Sequence, residues 1–169
     1  WLHMLQILIH GRGGQGVVSA AEMLSIAAFE QGRHAQAFPS FGSERTGAPV
    51  VAFCRIADHD IRLREPILAP DVLIVQDPTL LHQVDVFQGL PAAGWVLINS
   101  RRSVDELGLA ELTQRFRRER LTTVPASEIA RRILHPVLGP FLVVGDQRAV
   151  VVLARVEGGV RHQLRCSRQ

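Results

Sequence analysis

A chain of 169 residues, 47% of them apolar, suits one compact domain with its own core, and none of its apolar runs is long enough to span a bilayer. Its two cysteines, Cys54 and Cys166, stand far apart. That excludes a four-thiolate iron–sulfur cluster, and the scattered histidines speak against a bound metal. All nineteen basic residues are arginine, which keeps its charge to about pH 12 or beyond; the pI near 10 therefore inflates a net charge of +3 and is no nucleic-acid signature.

The amino terminus lacks the basic flank, apolar stretch and cleavage site of a signal peptide. A cytoplasmic protein without membrane contact is expected, and Trp1 in place of Met points to a missing leader or a start at Met4. Residues 5–10 form an apolar run ending at a glycine cluster, which reads as a buried first strand. Residues 17–31 then place Val17, Ala20, Ala21, Leu24, Ala27 and Ala28 at helical spacing, and Gly32 ends the helix. Residues 36–47, rich in Ser, Gly and Pro, read as a loop. Residues 50–56 form a strand, 57–60 a turn and 61–63 a short return strand, giving a hairpin. Residues 71–76 are another buried strand, and Pro78 opens a helix through Leu80, Leu81, Val84 and Phe87. A turn at 89–94 leads to a strand at 95–99. Residues 109–120 read as a helix bearing Arg115, Arg117, Arg118 and Arg120, a solvated or partner-facing cluster. Residues 121–124 are a brief strand, and Ser127 is placed to cap a helix over 128–134. Strands alternating with helices predict an α/β fold: a Rossmann-like three-layer domain, its sheet mainly parallel with one β-hairpin. With no repeat or linker, residues 1–169 read as a single domain.

Gly11, Arg12, Gly13, Gly14, Gln15 and Gly16 satisfy the spacing G-x-G-x-x-G between a strand and a helix. Amides at such a helix start can hold a phosphate, and glycine lets the backbone approach closely. A NAD site also wants a carboxylate about twenty residues on; the chain offers Arg33, His34 and Gln36 there. An NADP site stays open, as does a tight turn that serves packing alone. A stand-alone nucleotide-binding regulatory module is therefore one reading of the turn.

The turn and the segment Phe41-Gly-Ser-Glu-Arg-Thr-Gly-Ala-Pro-Val50 together resemble the gamma subunit of the pyruvate and ketoisovalerate:ferredoxin oxidoreductases, the CoA-acylating 2-oxoacid:acceptor oxidoreductase family. Residues 71–78 and 96–100 also look like later strands of that family, and the match covers about residues 5–135. From about residue 135 onward the chain departs from the family pattern, through 135–146 and an apolar run at 149–156. The resemblance implies a multi-subunit enzyme that decarboxylates a 2-oxoacid with CoA, giving acyl-CoA, CO2 and electrons for ferredoxin or another acceptor. It implies thiamine diphosphate, magnesium and [4Fe–4S] clusters on partner alpha, beta and ferredoxin-like delta subunits, with an NAD-linked flavoprotein as a further partner in some forms. The present chain, with two cysteines and no thiamine-diphosphate signature, binds none of these alone, so a non-catalytic supporting role is expected. The substrate reads as pyruvate-type, with a branched or aromatic oxoacid such as phenylglyoxylate still open.

The residues of the glycine turn and Ser43, Glu44, Arg45 and Thr46 are the candidates for contact with CoA or with a neighbouring subunit, Arg45 steering a phosphate or carboxylate or forming an interface ion pair. Asp71 and Asp77 flank a strand and read as turn formers or caps rather than acid–base groups. Cys54 reads as a small core residue.

Overall fold

The computed structural model describes residues 4–40 and 47–129. Six strands form one sheet: β1 (Leu5–Arg12), β2 (His34–Pro39), β3 (Pro49–Ala57), β4 (Val72–Val75), β5 (Trp95–Asn99) and β6 (Leu121–Val124), in the order β2-β3-β1-β4-β5-β6. Strands β1, β4, β5 and β6 pair in parallel, while β3 runs antiparallel to both β1 and β2. The sheet is thus mainly parallel, with β3 alone reversed and β2–β3 as the antiparallel hairpin.

Strand periodicity of two places alternate residues on opposite faces. Ile7, Ile9, Ala52, Cys54, Val72, Ile74 and Leu97 pack beneath α1 (Val17–Glu30), which meets them through Val17, Ala20 and Ala21. Small side chains let this helix sit close. Leu8, Phe53, Leu73, Val75, Val96 and Ile98 face the other way, against Leu80, Val86, Phe87, Leu90, Leu107 and Phe116. Each fully buried aliphatic, such as Ile9 or Ile98, contributes about 1.5–3 kcal/mol relative to an exposed one.

Several sequence expectations are corrected here. Residues 36–39 belong to β2 rather than to a loop: Ala37 faces α1 and Phe38 stacks on Phe53 with centroids 5.0 Å apart. Pairing with β3 overrides the turn-like composition. Residues 61–63 form no return strand. Arg55, 2% exposed, donates instead to the carbonyls of Leu63 (3.4 Å) and Glu65 (2.6 Å) and lies over the Phe38 ring. Those carbonyls thus serve a side chain rather than a ladder.

The second helical layer is built of short pieces. After Pro78 a 3-10 helix spans only Pro78–His82, because Leu80, Val86, Phe87 and Leu90 reach the core from irregular turns rather than from one helical face. The predicted helix at 109–120 breaks into α2 (Leu112–Arg115) and a 3-10 turn Arg118–Arg120. Between them Phe116 is extended and 2% exposed, driven into the core. Ser127 lies inside a helical turn at 126–129 that starts after Pro125, so it is not the cap; its amide N–H donates to Asn99 Oδ1. The expected helix beyond residue 129, the segment from about 135 expected to depart from the family pattern, and Cys166 lie outside the described residues. No helix among those described is long and apolar enough to cross a membrane.

Candidate functional site

The chain leaves β1 through α1 toward β2 at one edge of the sheet, and leaves β4 through the 3-10 helix toward β5 on the other side. The carboxyl ends of β1 and β4 therefore flank a topological switch point, where open α/β sheets hold their ligands. The glycine turn lies there. A Cβ on Gly11 would stand 2.5 Å from Val17 Cγ2 and 2.9 Å from Gln76 Oε1, so this glycine permits close packing of α1 on the sheet. Gly14 (φ +90°) and Gly16 (φ +72°) adopt left-handed backbone, and no other atom lies within 4 Å of a Cβ placed on Gly14. Gly16 is the N-cap of α1 and supplies no side-chain acceptor. The first-turn amides of a fourteen-residue helix thus sit behind an open glycine with no side-chain cap, an arrangement that favours an anion.

Arg12 and Gln15 turn inward from the loop. Arg12 Nε donates to Asp77 Oδ2 at 3.0 Å, its Nη1 to the Gly47 carbonyl at 3.0 Å, and its Nη2 to Thr79 Oγ1 at 2.8 Å and Gln83 Oε1 at 2.6 Å. Gln15 Oε1 accepts from the Arg12 amide (2.8 Å), and its Nε2 donates to Asp77 Oδ2 (2.9 Å). Asp77 Oδ1 caps the 3-10 helix by accepting from the Thr79 amide and hydroxyl. Burial alone would raise the Asp77 pKa; the bonds from Thr79 and Gln15 and the charge of Arg12 outweigh it and hold the carboxyl below its ordinary range. Asp77 is thus a cap and anchor. Asp71 accepts from the Gln6 amide, likewise a structural role.

The two sequence motifs meet. Gly13 N–H donates to the Ala48 carbonyl and Gly47 N–H to the Gly13 carbonyl, so Gly47 and Ala48 of the 41–50 motif are fastened to the glycine turn, with Arg12 bonding the same Gly47. Ser43, Glu44, Arg45 and Thr46 themselves lie outside the described residues. Sequence reasoning missed Thr79 and Gln83, which complete the Arg12 network, and Gln76, which is 3% exposed with both amide atoms buried and without a partner among the described residues. No spacing rule marks them; a polar residue closing a buried strand was the sole signal for Gln76. Farther along the same edge a shallow cleft is lined by Pro78, Asn99, Ser100, Arg101, Pro125 and Ser127.

The strand beside β1 that would bear a ribose-binding carboxylate is β3, running in reverse, with Pro49 opposite Arg12. Arg33 pairs with Asp58 and His34 with Asp60, far along the hairpin edge. The nucleotide geometry of a dinucleotide fold is therefore incomplete. Cys54 is fully buried and its thiol is pushed by burial up to about 12, so it is no nucleophile at neutral pH. No group of His, Cys, Asp and Glu suited to a metal occurs among the described residues. The thiolates of this chain do not fit an iron–sulfur cluster.

A doubly wound α/β domain with a glycine-turn crevice at its topological switch point is the class these features define. The chain belongs to the pyruvate ferredoxin/flavodoxin oxidoreductase family, whose model matches residues 6–162. It is 50% identical over 131 residues to the pyruvate synthase subunit PorC of Methanosarcina barkeri, covering 78% of this chain and 69% of that protein. It is 44% identical over 154 residues to the common gamma subunit of the pyruvate/ketoisovalerate oxidoreductases of Thermococcus kodakarensis, covering 91% and 82%. The crystal structure of pyruvate oxidoreductase subunit PORC from Thermotoga maritima superposes with a TM-score of 0.60 at 36% identity, over 78% of this chain and 67% of that one. A 2-oxoglutarate:ferredoxin oxidoreductase from Magnetococcus marinus shares the fold, with a TM-score of 0.52 at 18% identity over 77% of this chain and 21% of that one.

Proposed function

We propose that this chain is the gamma subunit of a cytoplasmic complex that oxidatively decarboxylates a pyruvate-type 2-oxoacid with CoA to acyl-CoA and CO2. Electrons pass to ferredoxin or another acceptor. Alpha, beta and delta subunits hold thiamine diphosphate, magnesium and the [4Fe–4S] clusters; the thiazolium supplies the carbanion chemistry there. Residues 1–169 act as one supporting domain that binds no cofactor alone. Its contribution is the crevice at the ends of β1 and β4, where the glycine turn and residues 43–46 contact CoA or the neighbouring subunit that shares it. The observation that carries this reading is the uncapped amino end of α1 behind Gly14 and Gly16, a seat for a phosphate of CoA. Arg12 and Gln15 act as positioning residues that hold the turn against Gly47.

The test uses the co-expressed complex. Gly14→Asp places a like charge beside the phosphate, and Gly14→Asn is the uncharged control. One such contact is worth on the order of 1.4 kcal/mol, so KM for CoA rises about tenfold in the first and stays near wild type in the second. An unchanged KM in both removes CoA from the turn. Calorimetry of the isolated chain with NADP, FAD and ATP separates the stand-alone module, since tight binding of any of them favours it.

A further inference from the structure

The opposite edge of the sheet carries a second surface, unused by the crevice. Parallel strands β4, β5 and β6 begin there, and Trp95, 38% exposed, opens β5. Arg120, just ahead of β6, lies over the Trp95 ring at 5.2 Å and bonds the Ala93 carbonyl. Arg115 donates to the carbonyls of Phe87 and Leu90 and lies 4.9 Å over the ring of Phe116. These two guanidiniums are therefore held in place before any partner arrives. Between them Arg117 and Arg118 are exposed, and their side chains make no ion pair or hydrogen bond among the described residues; Glu119 is the single carboxylate in 115–120. Leu68, 81% exposed, precedes β4 at this same end of the sheet, its carbonyl oxygen 1.8 Å from where a Cβ on Gly89 would stand.

We propose that this amino edge is a protein-docking surface for an acidic face of a neighbouring subunit, with Arg117 and Arg118 as the charged contacts and Trp95 and Leu68 as the apolar ones. Three observations select that occupant. Tryptophan and arginine dominate protein-interface energetics, and here Trp95 is held under the fixed Arg120, which reduces the ordering cost of that apolar contact. Uncompensated arginines are complementary to carboxylates, which they grip in bidentate fashion. A single-stranded nucleic acid would need free aromatic faces for stacking, yet one face of Trp95 is covered by Arg120. Because the edge lies across the sheet from the glycine turn, docking leaves the crevice open.

This inference rests on the reading of the chain as one subunit of a larger complex, and the experiment separates the two. The chain is co-expressed with the partner subunits from the same genome, and the complex is recovered through a tag on a partner. Wild type co-purifies and is released progressively as salt rises. The double variant Arg117→Glu/Arg118→Glu, at exposed positions that leave the melting temperature unchanged, co-purifies about tenfold less at low salt, where charge pairing is least screened. Arg117→Lys/Arg118→Lys keeps wild-type recovery. If the Glu variant assembles like wild type, or the Lys variant fails like the Glu variant, the docking surface is overturned while the subunit reading stands. Assembly unchanged but single-stranded RNA binding lost in the Glu variant assigns the edge to nucleic acid instead. If wild type itself never co-purifies, both readings fall.

Discussion

The Asp77 carboxylate receives the Thr79 amide and hydroxyl, the Gln15 amide and the Arg12 guanidinium. Removing it in Asp77→Ala leaves a half-buried arginine without its anion, and loss of a hydrogen-bonded charged partner costs about 2 kcal/mol; urea denaturation measures it. Because the folded pKa of Asp77 is depressed, that stability is complete above the unfolded value near 3.9 and lost as pH falls through the folded one. Wild type and variant should therefore converge at low pH. His10 acts in a higher window. Burial lowers its pKa, so its contribution is complete above about pH 6.5 and declines as pH falls below that; an NMR titration in which His10 charges at 6.5 or above would contradict the burial. Gln76 is the opposite case to Asp77. Its side-chain amide has no partner among the described residues, so Gln76→Leu should leave stability equal or raise it by about 1 kcal/mol, an unpaired buried amide being costly. A clear loss would show that the amide is in fact satisfied.

At the scale of elements, the junction of β1, α1 and β4 depends on backbone proximity. Gly11→Ala forces a methyl against Val17 and Gln76 and should cost about 1–3 kcal/mol by overpacking, read as a fall in thermal midpoint. Gly89 combines positive φ with a collision against the Leu68 backbone; its Ala variant should lose more than Gly11→Ala, since backbone yields less readily than side chain. The crossing segment 58–66 is pinned by Arg55 rather than by strand pairing. Arg55→Met should accordingly speed hydrogen exchange and proteolysis within 58–66 while β4 and β5 keep their protection.

At the scale of the molecule, β1, α1, β4, β5 and β6 were legible in the chain because their signals are local: buried runs such as 71–76 and 95–99, helical spacing from Val17, and glycine at both ends of α1. The glycine turn and the 41–50 motif were equally legible, as was the family they mark. Other features were settled by contacts distant along the chain. Residues 36–39 became a strand because β3 offered a ladder, 61–63 did not because Arg55 took the carbonyls, and the helices expected at 78–87 and 109–120 shortened so that Phe87 and Phe116 could fill one core. The same holds for the site. Spacing named Arg12 and Gln15, but which way they turn depended on Asp77, Thr79 and Gln83, more than sixty residues away. Local propensity and periodicity act within a turn or a strand and so are written in the sequence; register, strand order and side-chain partnership arise only when remote segments compete for the same hydrogen bonds and the same buried space.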